Sequence, residues 1–195
     1  MGFWALLATF APWIALKVIV LVPFAHPLVV LKVAVGVAAA ICAVQAIRDK
    51  VRGVIFWGTI AFFLFALVTI VGMTNMWVIT HMGVLAQLNL VAMAGGSILF
   101  KHPFTMTFAR QHVPEHLWTT ERFIRKNYLI TGAWTLSFLV GLVIVVLQEY
   151  HVSASPLLME LVNDCAILAA IGFTMWYSKP AKPAPETAPA STLGN

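Results

Sequence analysis

Apolar runs of about twenty residues, the length at which an α-helix crosses a bilayer, recur along this chain. In lipid every backbone N–H and C=O must be paired within the segment, so such runs fold as helices. Six spans are expected, at roughly 3–22, 27–47, 53–72, 76–100, 127–149 and 156–177. The fold class read from this pattern is all-α: a polytopic transmembrane helical bundle over residues 1–178. After Ser178 the sequence changes to KPAKPAPETAPASTLGN, rich in Pro and Ala and without an aromatic residue. Such a segment has no apolar surface to bury, so 179–195 is expected to be a disordered tail.

Composition supports the membrane reading. Hydrophobic residues make up 61% of the chain and charged residues 10%, with a mean hydropathy of +0.92. A soluble domain carries about a quarter charged residues. The net charge of +5 could suggest a nucleic-acid partner, but in a membrane protein the placement of charge is more informative than its sum. No nucleic acid is expected. The first run has no basic segment before it and contains Lys17, so it reads as a retained span rather than a signal peptide. Cys42 and Cys165 lie inside apolar runs and read as packing residues.

The cations outside the spans fall on one side. Arg48, Lys50 and Arg52 occupy the second connection; Lys101, Arg110, Arg122, Arg125 and Lys126 the fourth; Lys179 and Lys182 the tail. The positive-inside rule makes that side cytoplasmic, with both termini there. The fourth connection is the largest. In it Phe104, Met106, Phe108, Val113, Leu117 and Trp118 alternate with polar groups. It is expected to lie in the interface, with Phe104, Phe108 and Trp118 at the membrane boundary and Arg110, Arg122 and Arg125 on anionic headgroups. Thr120 is placed to cap a long fifth helix.

Motifs for enzyme chemistry are missing. There is no HExxH, GxSxG, Walker A or GxGxxG, and no Cys run for a cluster. His112 and His116 have a helical metal-ligand spacing, but Pro114 stands between them. No cofactor, metal site or catalytic residue is expected, and the chain does not read as an enzyme. In the fourth span, His81, Gln87 and Asn89 are polar; they either pack helices together or line a polar path. Ala92 with Gly96, and Gly36 with Ala40, have the spacing of close helix contacts.

The intramembrane charges are the sharpest feature. At 1.5 Å per residue, Lys17 and Lys32 lie about 9 and 7 Å inside the outer boundary, and Glu160 and Asp164 about 6 and 12 Å. Glu160 and Asp164 are four apart and share a helix face. Unpaired charges at that depth are costly, so Asp164 is expected to pair with Lys17 or Lys32, with Glu160 nearby.

With these features in view, the chain resembles the intracellular septation protein A family of bacterial inner-membrane proteins. The likeness lies in span order, in FAPWIALKV opening the first span, in Lys101-His102-Pro103 closing the fourth, and in Pro114 and Trp118 leading to Asn127 and Trp134. The longer FTMTFARQHVPEH connection and the Pro-Ala tail depart from that pattern. The resemblance implies a non-enzymatic inner-membrane protein of cell division and envelope maintenance, acting through membrane lipids or other envelope proteins. It carries over no site residue. The alternative from the residues is a small transporter or lipid-handling protein with a polar path through the fourth span and the outer charge cluster. A packed or an open bundle centre separates the two.

Overall fold

A computed structural model describes residues 3–21, 26–48, 53–150 and 155–178. The expectations for the 179–195 tail, for Lys50 and Arg52, and for most of the fifth connection lie outside these residues. Every described regular element is helical: α1 (Phe3–Thr9), α2 (Ala11–Val20), α3 (Pro27–Arg48), α4 (Val54–Ala66), α5 (Met76–Thr80), α6 (Met82–Leu99), α7 (Thr105–Ala109), α8 (Glu121–Glu149) and α9 (Pro156–Ser178). Five helical stretches are long and apolar enough to cross a membrane: Pro27–Arg48, Val54–Gly72, Met82–Leu99, Glu121–Glu149 and Leu157–Ser178.

The expected first span is not one helix. It breaks at Phe10, and α2 is a short apolar helix of ten residues. Pro12 sits in the first turn of α2, where its missing N–H is not needed. Had α1 continued through Phe10, the Pro12 ring would have met the carbonyl four residues back. The expected fourth span also divides, at His81, into α5 and α6. Asn75 caps α5 by accepting from Val78 N–H at 3.1 Å. The end of the third span winds as a π-helix over Leu67–Gly72, where Thr69 Oγ1 donates to Phe65 O at 2.7 Å. A hydroxyl that occupies a ladder carbonyl loosens the α-helical register.

Close packing runs in series: α2 on α3, α3 on α4, α4 on α6, α6 on α8, α8 on α9. The ends of this series, α2 and α9, meet through the Lys17 side chain. In lipid, apolar burial gives little net drive between helices, so shape and interhelical hydrogen bonds carry the specificity. Trp13 Nε1 donates to Thr59 Oγ1 and Trp134 Nε1 to Thr174 Oγ1, both at 3.0 Å. Between them Phe10 stacks on Trp134, with centroids 5.2 Å apart and planes within 6°. This aromatic layer holds the α1–α2 junction against α8.

The 100–120 connection corrects one expectation. Phe104 and Phe108 do not face the membrane boundary; they are 1% and 3% exposed, inside the core. Ser97 Oγ takes Phe104 N–H at 3.1 Å, and Lys101 adopts a left-handed φ of 58°, so the chain turns back at the end of α6. Thr105 Oγ1 then bonds Asn127 O at 3.0 Å and Thr131 Oγ1 at 2.9 Å, drawing α7 against α8. The alternation of apolar and polar residues resolves into α7, with Phe104 at its N-cap and Phe108 four residues on, followed by two 3-10 turns at Arg110–His112 and Glu115–Leu117. Trp118 is half-buried: its Nε1 donates to Val113 O at 2.8 Å, and the Arg110 guanidinium lies 5.1 Å from its ring. Arg110, Arg122 and Arg125 are exposed. Thr120 caps α8, accepting from Phe123 N–H at 3.4 Å.

Candidate functional site

The bundle has two chemically different ends. A Cβ on Gly53, just before α4, would lie 3.0 Å from Thr107 Oγ1, so the start of α4 and α7 share an end. That end carries Arg48, Lys101, Arg110, Arg122 and Arg125. The opposite end carries Lys17, Lys32, Glu149, Glu160 and Asp164. The helices alternate direction, so residues distant in sequence converge there.

Lys17 projects from the last turn of α2 and forms ion pairs with two carboxylates of α9. Its Nζ is 2.8 Å from Glu160 Oε1 and also contacts Asp164 Oδ1. The four-residue spacing of the acids gives the ammonium one partner on each side. Lys32 does not join them: its Nζ donates to Thr74 Oγ1 at 2.7 Å. Thr74 is held for this by a left-handed φ of 51° in the turn after the π-helix. Depth alone made the two lysines equivalent; the rotation of α2 and α3 about their axes separates them.

Beside the ion pairs a cavity of about 820 Å³ opens between α2, α6, α8 and α9, with α3 and α5 at its rim. Its walls are mostly apolar, from Phe10, Trp13, Leu90, Trp134, Phe138, Ile167 and Ile171 among others. The polar side chains in the wall are Lys17, His26, Gln87, Glu160 and Asn163. Along α9, Glu160 and Asn163 come first and Ile167 and Ile171 follow on the same face. The cavity therefore has a polar level near one bundle end and an apolar floor towards the middle. The volume falls within the range of small-molecule pockets, which are likewise mostly apolar with a few polar groups.

Two polar atoms at the polar level have no partner. Asn163 is 8% exposed, yet its Oδ1 takes no hydrogen bond, and neither does the buried Gln87 Oε1. Gly141 of α8 makes room for both amides. A Cβ there would lie 2.7 Å from Gln87 Nε2 and 2.8 Å from Asn163 Oδ1. The two amides thus converge on one point of α8. A buried acceptor left unpaired costs about 1–3 kcal/mol, and such groups are normally satisfied by protein, water or ligand.

Of the polar residues expected to line a path in the fourth span, only Gln87 reaches the cavity. Asn89 points elsewhere, with Nδ2 3.7 Å from Met93 Sδ. His81 stacks on Trp77 at 4.5 Å, and its Nδ1 lies 2.8 Å from Trp77 O. Its Nε2 lies 2.9 Å from Glu149 Oε1, tying the α5–α6 junction to the end of α8. Sequence reasoning missed Asn163 and Gly141. Asn163 lies between the two noted acids and could have been found as a third polar residue in an apolar run. Gly141 carries no local signal. Among the described residues, no three His, Cys, Asp or Glu converge as a metal site.

No family model, curated protein or solved structure matches the chain.

Proposed function

We propose that this protein is a multi-pass membrane protein that takes a small amphiphile into the cavity between α2, α6, α8 and α9. One observation carries the reading: an apolar space of about 820 Å³ whose wall presents an ion pair and an unpartnered, buried Asn163. An amphiphile fits the layout, with its head at the Lys17–Asn163 level and its chain towards Ile171. This reading is the lipid-handling alternative raised by the polar residues of the spans. The cytoplasmic placement of the basic end and of both termini is proposed from the positive-inside rule. Contact of Arg110, Arg122 and Arg125 with anionic headgroups is proposed from their charge and exposure. A bacterial inner-membrane setting, with a part in division or envelope maintenance, is proposed from the sequence resemblance alone.

The test is to excise the protein with its surrounding bilayer in polymer nanodiscs and weigh it by native mass spectrometry. One amphiphile should stay bound after the annular lipids are stripped. Ala86→Trp, which places an indole in the cavity, should abolish it. Equal retention by both proteins would refute the reading.

A further inference from the structure

The polar level of the cavity is short of positive charge. Lys17 is engaged by both Glu160 and Asp164, so one cation faces two anions and the triad sums to one negative charge. Lys32, the other lysine at this end, is bonded to Thr74 and is not in the cavity wall. His26 lines the mouth, where its Nδ1 accepts from Leu28 N–H at 3.4 Å. His81 is turned to Glu149, away from the cavity wall. Among the described residues of the wall, Lys17 is the one Lys or Arg.

Glu160 spends Oε1 on Lys17, and its second oxygen has no donor among the described residues. Asn163 follows three residues later, about 4.5 Å along the same face of α9. Its Oδ1 is unpartnered, and across the Gly141 gap so is Gln87 Oε1. Neither amide is bonded within the protein, so each can turn its oxygen towards a ligand. Glu160, Asn163 and Gln87, from two helices, thus line one level of a mostly apolar wall and can each present an acceptor there, where unpaired acceptors are unfavourable.

Building on the amphiphile reading, we propose that the cavity selects amphiphiles with a primary ammonium head, seated between Glu160 and the side-chain amides of Asn163 and Gln87. An ammonium has three N–H donors, one for each acceptor, and no acceptor of its own. Its charge neutralises the triad. A carboxylate head would add a second negative charge, and a hydroxyl would supply a single donor. The apolar chain runs along Ile167 and Ile171. Two sources share this chemistry, an aminolipid of the bilayer and a long-chain amine entering from water.

The experiment uses the full chain in nanodiscs of zwitterionic lipid lacking amines, titrated with dodecylamine, dodecanol or sodium dodecanoate and read by native mass spectrometry. Dodecylamine should bind about 10- to 100-fold more tightly than dodecanol, the worth of a charge-assisted contact, and dodecanoate most weakly. Glu160→Gln should bring dodecylamine and dodecanol to within about threefold of each other. That variant keeps the Lys17–Asp164 pair, and Asn163→Ala provides a second test in which part of the preference is lost without touching a charge. A parallel titration uses lysophosphatidylethanolamine. Its retention alongside dodecylamine marks bilayer aminolipids as the source, and retention of dodecylamine alone marks a soluble amine. Equal binding of all three dodecyl probes overturns the head-group assignment while leaving the cavity reading intact. Retention of no probe, or retention unchanged by Ile167→Trp, sinks both.

Discussion

Removing Lys17 should destabilise the protein far more than removing either of its acidic partners. The asymmetry follows from one ammonium serving two carboxylates. Asp164→Leu leaves Lys17 still paired with Glu160 at 2.8 Å, so no charge is stranded. Lys17→Met strands two carboxylates one helical turn apart, which also repel each other. Breaking a buried pair costs about 3–5 kcal/mol, and a surface pair about 0–1 kcal/mol. The three side chains are 36%, 40% and 47% exposed, so the lower part of the buried range applies. The expected losses are therefore about 3 kcal/mol for Lys17→Met and about 1 kcal/mol for Asp164→Leu. Glu160→Leu with Asp164→Leu should cost about as much as Lys17→Met, because Lys17 is then the stranded charge. The triple replacement should recover most of the loss, since nothing remains unpaired. Lys32→Met should rescue none of these variants, because Lys32 bonds Thr74 instead. The measurement is reversible unfolding in bicelles, followed by a steric trap or by tryptophan fluorescence. Equal costs for Lys17→Met and Asp164→Leu, or rescue by Lys32→Met, would refute the reasoning.

Gly141→Ala should push the Gln87 and Asn163 amides off their common point. These are side-chain ends that can swing, so the stability loss should be only about 1 kcal/mol while amphiphile retention falls sharply; unchanged retention would detach Gly141 from the site. Phe104→Ala should cost about 3 kcal/mol or more, the price of a core cavity, whereas Leu136→Ala on the 62% exposed outer face should cost little. Comparable losses in the two unfolding curves would return Phe104 to the lipid boundary. In a protein lacking Cys42 and Cys165, an impermeant thiol reagent added outside intact cells should label Tyr150→Cys and spare Thr119→Cys; the reverse pattern would invert the proposed sidedness.

The length and spacing of the apolar runs specified helices, and specified nearly where they lie, because a continuous apolar run of about twenty residues pairs its own backbone in lipid as a helix. Charge placement separated a basic end from an end holding Lys17, Lys32, Glu160 and Asp164. Simple rise per residue brought those four to one depth, since helix length is a local property. The sequence could not say which way each helix faces. A membrane helix is apolar all round, so no stripe marks its inner side. Hence Lys17 and Lys32 looked alike until the bundle turned one towards α9 and the other towards Thr74. Hence also Gln87 faces the cavity while Asn89, two residues on, does not. The burial of Phe104 and Phe108 was hidden because it depends on Ser97, Thr105 and Asn127 drawing α7 back against α8, contacts between residues up to 26 positions apart. The cavity is the least local feature of all: it is the space that α2, α6, α8 and α9 fail to fill together, and no segment of the chain encodes it alone.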